Sequence, residues 1–178
     1  MASKKSRKGR KAYLNDFQPN LAGEYTYNGA HYRYADSRMP YSAARGKTLL
    51  FSLLTLAGLI IAGCVSEGGM GNTFYVIIPY MAEALCVFLT LMAVFKMLRG
   101  GERLREYIYT SSVKRIPPST LCAAVFAALG IICSLIYIIL NGIGSPLELA
   151  ILYIGKILGI IASLALRKHV LGLIWEKE

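Results

Sequence analysis

The sequence predicts an all-α integral membrane protein with four transmembrane helices arranged as two antiparallel hairpins, and with a small β-hairpin-like cap near its N-terminus. The 178-residue chain is 55% hydrophobic and 17% charged, whereas an ordinary soluble domain carries about 25% charged residues. Its apolar residues cluster in four long runs, and most of the basic residues behind the net charge of +10 lie outside these runs. This composition excludes a disordered tail protein, a collagen, a coiled coil and a disulfide-rich secreted domain.

The four apolar runs are the predicted transmembrane helices. A helix needs roughly 17–25 apolar residues to cross the hydrocarbon core, and each run has about that length. None shows the polar stripe at helical spacing that marks an amphipathic helix of a soluble protein. The predicted bundle therefore spans residues 48–166, with helices at about residues 48–65, 74–97, 120–140 and 149–166.

The segments between the runs predict the orientation of the chain. Residues 66–73 and 141–148 contain no Lys or Arg, whereas basic residues precede the first run, separate the second from the third and follow the fourth. The positive-inside rule places these basic segments on the cytoplasmic side of the membrane. We therefore expect both termini, including a C-terminal tail at residues 167–178, in the cytoplasm, and we expect the protein in the cell (inner) membrane.

Glu83 and Lys156 are the charges predicted to lie deep inside the bundle. A charge near the middle of a bilayer costs a few kcal/mol, so it needs a partner or a water-filled cavity. Both residues lie roughly 10–13 Å below the outer ends of their helices, which predicts an ion pair between helices. Pro79, one turn before Glu83, is expected to kink its helix. We expect the pair to join the hairpins structurally; the alternative is an ion or proton site of a transporter.

Small residues predict where helices approach closely. Gly155, Gly159 and Ser163 recur at intervals of four on one face of the fourth helix, and such a stripe lets a neighbouring backbone approach. We expect this face to contact another helix of the same chain. The alternative is a seam between two copies of the chain.

The first 12 residues are predicted to be a disordered basic tail. Such a tail is attracted to an anionic leaflet by about 1 kcal/mol per basic residue near the surface. The predicted lipid-headgroup contacts are Lys4, Lys5, Arg7, Lys8, Arg10 and Lys11. Nucleic acid is the competing ligand of a basic segment, but we expect anionic lipid because the membrane is always adjacent.

Residues 13–47 are predicted to form a tyrosine-rich cap on the cytoplasmic end of the bundle. Asn28-Gly29 is a strong signal for a hairpin turn, and the flanking tyrosines prefer strands, which together predict a β-hairpin at residues 24–34. The aromatic patch comprises Tyr25, Tyr27, Tyr32 and Tyr34. We expect it to anchor the cap in the headgroup layer; the alternative is a docking surface for another protein.

The sequence offers no catalytic constellation, so we do not expect an enzyme. His31 and His169 are isolated, the cysteines have no CxxC spacing, and residues 68–71 lack the lysine of a phosphate-binding loop. No cofactor or metal is therefore expected. We expect a non-enzymatic accessory or scaffolding subunit of a membrane assembly, which contacts the bilayer and either another membrane protein or further copies of itself. The alternative is a small oligomeric transporter or channel subunit that uses Glu83 and Lys156.

Overall fold

The structure is a computed structural model, which describes residues 17–19, 25–27, 29–64, 70–142 and 144–178. Among these residues, four helices are long and apolar enough to cross a membrane, which confirms the predicted number of transmembrane helices. They are α1 (Tyr41–Gly63), α2 (Phe74–Gly100), α4 (Ile116–Asn141) and α5 (Pro146–Leu171), and the short helix α3 (Glu106–Ser111) precedes α4.

The helices extend past the predicted apolar runs, mainly at the end of the bundle where α1 begins and α5 ends, here called the terminal end. α1 begins at Tyr41, directly after Pro40, and α5 continues to Leu171. Long polar side chains allow this extension because their charged ends reach water while their stems cover apolar surface. The segment predicted as a tail at residues 167–178 therefore begins as the last turn of α5.

Proline and glycine mark several helix ends. Pro146 occupies the first turn of α5, as Pro117 does in α4, where the missing N–H group is not needed for the helix. Gly101 follows α2 with a φ of 72°, a conformation that glycine adopts without steric cost. Pro79, in contrast, lies inside α2, which continues on both sides of it.

Contacts between the helices follow a ring rather than the order of the chain. α1 packs mainly against α5, α2 mainly against α4, and α4 also against α5, whereas the predicted pairing of α1 with α2 is a minor contact. Small residues explain the close packing of α1 against α5. A methyl group on Gly58 would lie 2.6 Å from the backbone nitrogen of Gly159, so α1 and α5 touch backbone to backbone.

The strands do not form the hairpin predicted at residues 24–34. β1 (Phe17–Pro19) pairs antiparallel with β2 (Tyr25–Tyr27), and β3 (His31–Tyr34) belongs to a separate sheet. The predicted pairing is wrong because an Asn-Gly signal concerns the turn alone. A lone hairpin is marginally stable, and β3 instead gains a partner on each edge. Asn28 itself lies outside the described residues.

A second sheet joins three distant parts of the chain at the terminal end. β3 lies between β4 (Arg103–Arg105) and β5 (Trp175–Lys177), and both pairs are antiparallel. Tyr34 faces Trp175 across one pair. The Arg103 guanidinium also lies 2.8 Å from the carboxylate of Glu178. The segment before α1, the segment after α2 and the C-terminal end are therefore held in one layer.

An apolar cluster lies beneath this sheet and closes the terminal end of the bundle. Met97 of α2, Leu104 of β4, Ile116 of α4 and Leu166 of α5 are fully buried in it. Because a strand and three helices each contribute a side chain, burial of this cluster couples the sheet to the bundle.

Candidate functional site

Glu83 of α2 and Lys156 of α5 contact each other inside the bundle. The Nζ of Lys156 donates a hydrogen bond to Oε2 of Glu83, and the two residues are 2% and 4% exposed. At 1.5 Å per residue, Glu83 lies about 13 Å along α2 from its start, and Lys156 lies about 15 Å along α5. Since α2 and α5 stand diagonally across the ring of helices, the ion pair bridges the axis of the bundle.

Gly130 of α4 and Tyr80 of α2 also lie next to the Lys156 ammonium. A methyl group on Gly130 of α4 would lie 3.1 Å from Nζ, so the bare glycine leaves room for the charge. The ring centroid of Tyr80 lies 4.9 Å from Nζ, within range of a cation–π contact. The Tyr80 hydroxyl also donates a hydrogen bond of 3.3 Å to the Leu59 carbonyl of α1.

Sequence reasoning did not assign Tyr80 and Gly130 to the site. Tyr80 precedes Glu83 by three residues, a spacing that makes helical neighbours, and this was the available signal. Gly130 carried no comparable signal because its role depends on how α4 faces α5. Pro79 lies half-buried in α2, next to Tyr80 and four residues before Glu83.

The predicted small-residue stripe of α5 contacts α1 of the same chain. A methyl group on Gly155 would lie 2.7 Å from the backbone nitrogen of Ala62, and Gly159 lies against Gly58 as described above. Ser163 continues this face and is 1% exposed. Because α1 covers Gly155 and Gly159 and Ser163 is buried, the stripe is not an open surface for a second copy of the chain.

A cavity of about 170 Å³ connects the ion pair to the end of the bundle opposite the sheet, here called the loop end. Met70 and Gly71, in the connection between α1 and α2, line its upper part, and Lys156 lines its floor. The volume is sufficient for several water molecules. Tyr80 and Ser134 add polar atoms to a mostly apolar wall, whereas Glu83 does not line the cavity.

The bundle is closed between the ion pair and the terminal end. Thr90 and Ser119 join α2 to α4 by a hydrogen bond of 2.8 Å between their hydroxyls, and the Ser119 hydroxyl lies 3.0 Å from the Cys86 carbonyl. Below them lies the apolar cluster around Met97 and Ile116. The buried hydroxyl groups of this region, such as those of Thr55 and Thr90, donate hydrogen bonds to carbonyls of their own helices.

The arrangement can hold water or a small polar molecule beside an ammonium group that is already neutralised by a carboxylate. In the described part of the chain, no group of three or more His, Cys, Asp and Glu residues could hold a metal ion. The cysteines Cys64, Cys86, Cys122 and Cys133 are free thiols. The site thus has an electrostatic character rather than that of a nucleophile with its base.

The predicted aromatic patch is divided between two sheets. Tyr25 and Tyr27 belong to β2, whereas Tyr32 and Tyr34 belong to β3. The Tyr32 ring stacks on Tyr109 of α3 at 4.1 Å between centroids, and Tyr34 meets the Trp175 ring edge to face at 5.6 Å. Aromatic side chains of β3 thus pack against other parts of the chain.

The Tyr34 hydroxyl is also held by the structure. It donates a hydrogen bond of 2.9 Å to the Met39 carbonyl. Burial raises the pKa of this hydroxyl, and the nearby Asp36 carboxylate raises it further. Tyr34 therefore stays protonated at neutral pH and keeps its role as a donor.

The predicted lipid-headgroup contacts fall in the N-terminal segment of the chain. Lys4, Lys5, Arg7, Lys8, Arg10 and Lys11 lie outside the described residues. The predicted tail at residues 1–12 and the first part of the predicted cap lie there as well.

Comparison with known protein families, with curated proteins and with solved structures finds no match for this chain. Four long apolar helices, carrying a neutralised ion pair in their interior, define an integral membrane protein.

Proposed function

We propose that the protein is a non-enzymatic accessory or scaffolding subunit of a membrane assembly. The observation that carries the proposal is the Glu83–Lys156 pair, in which each charge is compensated by the other inside the bundle. An intramembrane charge that serves transport must exchange its partner with water or a substrate. Glu83 is 2% exposed and is not among the residues that line the cavity, which favours a bracing role.

The closed terminal end supports the same proposal. Met97, Leu104, Ile116 and Leu166 fill this end without exposed surface. A conduit through a single copy of the chain would have to separate these side chains. Such a separation would expose the apolar cluster that also holds the sheet in place.

The orientation that we propose places the sheet and both termini in the cytoplasm, with the protein in the cell (inner) membrane. The sheet carries Arg33, Arg103 and Arg105, whereas the described residues of the loop end, 70–73, 142 and 144–145, carry no Lys or Arg. The positive-inside rule favours this orientation. The basic tail at residues 1–12 would then face the anionic inner leaflet and contact its headgroups.

The aromatic residues of β3 support an anchoring role for the sheet. Tyr32 and Tyr34 are half-buried and pack against Tyr109 and Trp175. Little of their ring surface is left as a free patch for another protein. We propose that the partner of the assembly is another membrane protein, which contacts the helices.

The proposal is tested by isolating the tagged chain from its native membrane in a mild detergent and measuring the mass of the intact particle. We expect a complex with another membrane protein in a fixed ratio. Glu83→Met, which loosens the bundle, should reduce the yield of this complex. Glu148→Gln removes a carboxylate at the start of α5, outside the pair, and should leave the yield unchanged. A homogeneous particle that contains this chain alone would contradict the accessory role.

The second candidate function is a small oligomeric transporter or channel subunit. It is favoured by the cavity of about 170 Å³ that reaches Lys156 from the loop end. The purified chain in liposomes would then pass protons or small ions, measured with a pH-sensitive dye and ion-selective electrodes. Flux that disappears in Glu83→Gln but persists in Glu148→Gln would support transport and displace the scaffolding proposal.

A further inference from the structure

A second concave surface, here called the terminal groove, lies at the terminal end between α1, α5 and the turn before α1. It has a volume of about 620 Å³. Arg38, Lys47, Lys168 and His169 line its polar part, and Leu50 and Phe51 are among the apolar residues that line the rest. The groove thus combines cations and apolar surface in one concavity.

The Arg38 guanidinium forms hydrogen bonds within the protein. It forms two hydrogen bonds with the Asp36 carboxylate, at 2.9 and 3.0 Å, and a third of 2.8 Å with the Gly172 carbonyl. These hydrogen bonds hold the pKa of Asp36 below its usual range, so the carboxylate stays ionised. Arg38 and Asp36 therefore neutralise each other and fix the turn as one wall of the groove.

Lys47 and Lys168 supply the uncompensated charge. Among the described residues that line the groove, Asp36 is the one acid, so three Lys and Arg residues against one Asp leave a net charge of +2 before His169 is counted. Both lysines are exposed. Lys47 stands on α1 and Lys168 on α5, so the two ammonium groups lie on different walls of the groove.

His169 makes the wall between the lysines rigid. Its Nε2 lies 3.1 Å from the Ala44 carbonyl of α1; because a carbonyl only accepts, Nε2 carries the proton. The His169 ring also lies 6.0 Å from the Phe51 ring. The groove is therefore held open by contacts between α1 and α5 and is present before any ligand binds.

The position of the groove along the helices identifies the chemistry of its occupant. Lys47 precedes and Lys168 follows the apolar stretches of their helices, which places both at the level of lipid headgroups. Leu50 is 54% exposed, and farther along α5 Ile161 is 61% exposed, so apolar surface continues from the groove toward the bilayer core. A ligand that matches both parts has an anionic head and a hydrocarbon chain.

We propose that the terminal groove binds one anionic phospholipid, with its phosphate between Lys47 and Lys168 and an acyl chain along the apolar wall beside Leu50. Basic pockets between transmembrane helices bind anionic headgroups in this way. A free phosphate would leave the apolar wall of the groove exposed. This site is separate from the basic tail at residues 1–12, because it is formed by helix residues and the turn before α1.

The site is tested on the full chain by native mass spectrometry after delipidation, with phosphatidylglycerol and phosphatidylcholine added separately. We expect one phosphatidylglycerol to bind preferentially. Lys47→Ala with Lys168→Ala should weaken this binding about 30-fold, about five-fold per lysine. Lys96→Ala with Arg99→Ala removes the same charge from the exposed end of α2 and should leave the binding within two-fold of wild type.

Three results would overturn the proposal. The first is equal weakening by both double variants, which would indicate a general effect of net charge or binding by the N-terminal tail. The second is equal affinity for the two lipids. The third is displacement of the bound lipid by millimolar inorganic phosphate, which would indicate a free-phosphate site. Elution volume and thermal unfolding of each variant, expected to match wild type because the changed residues are exposed, verify that the fold is retained.

Discussion

Removing either charge of the Glu83–Lys156 pair should destabilise the protein, but the two single variants should differ in how much stability they lose. Lys156→Met leaves unpaired the Glu83 carboxylate, which is 2% exposed in the wild-type protein and does not line the cavity. Glu83→Met leaves the Lys156 ammonium on the floor of the cavity and 4.9 Å from the Tyr80 ring. Methionine is unbranched and flexible, so both substitutions remove charge with a small change of shape. We therefore expect Lys156→Met to be the more destabilising change.

The expected magnitudes come from the surroundings of each charge. Loss of one partner of a buried ion pair costs about 3–5 kcal/mol, and a lone charge at the centre of a transmembrane helix costs about 2.5–3.5 kcal/mol on insertion scales. We expect Lys156→Met to lie in the upper range, at about 4 kcal/mol. For Glu83→Met, water in the cavity and a cation–π contact of about 0.5–2 kcal/mol reduce the expected cost to about 2 kcal/mol.

The double variant separates the ion pair from its surroundings. With both charges removed, no buried charge is left unpaired, and the expected change is within about 1 kcal/mol of wild type. With single-variant costs of about 4 and about 2 kcal/mol, the coupling energy between the two positions is then at least about 5 kcal/mol in magnitude. Lys96→Met, an exposed change on α2, serves as the control, with an expected effect within about 0.5 kcal/mol.

The assay is reversible unfolding in lipid bicelles, with the free energy of unfolding measured by steric trapping and the helix content followed by circular dichroism. Additive effects of the two single variants would refute the bracing role of the pair. A larger cost for Glu83→Met than for Lys156→Met would refute the argument that the cavity hydrates the ammonium.

Three further predictions concern the packing of α1, the sheet and the orientation. Gly58→Ala places a methyl group 2.6 Å from the Gly159 backbone nitrogen and should cost about 2 kcal/mol or more. Gly46→Ala on the same helix enters open space and should be neutral or stabilising by up to about 1 kcal/mol; equal effects in the same unfolding assay would contradict the close contact. Trp175→Ala removes ring contacts with three tyrosines and should speed amide hydrogen exchange in β3 while the helices keep their protection, whereas unchanged exchange in β3 would argue against the role of these rings. In a cysteine-free chain, an impermeant maleimide added outside the cell should label Gly71→Cys but not Lys177→Cys, and the opposite pattern would reverse the proposed topology.

The four helices were predictable because each apolar run by itself has the length and the apolar character needed to cross a bilayer. Apolar side chains on every face and internally bonded backbone groups make a transmembrane helix a local property of about 20 residues. The helix ends were less predictable. α1 begins at Tyr41 and α5 ends at Leu171, beyond the apolar runs, because water accepts polar side chains on a helix that continues past the membrane.

The candidate site was predictable in part for the same reason. Glu83 and Lys156 stand out in apolar surroundings, and their depth follows from counting residues along each helix. The surroundings that distinguish the two charges were not predictable. Gly130, Tyr80 and the cavity become relevant to Lys156 only when α2, α4 and α5 are placed side by side.

The sequence by itself determined that this chain crosses a membrane as four helices, which charges lie inside it and which segments are basic. The tertiary structure decided that α1 packs on α5, that β3 pairs with β4 and β5, and that the cavity reaches Lys156 rather than Glu83. The physical reason is the range of the interactions involved. The free energy of transfer into a bilayer is a sum over residues that are neighbours in the sequence. Strand pairing, cavities and backbone contacts such as that at Gly58 depend instead on residues that are distant along the chain.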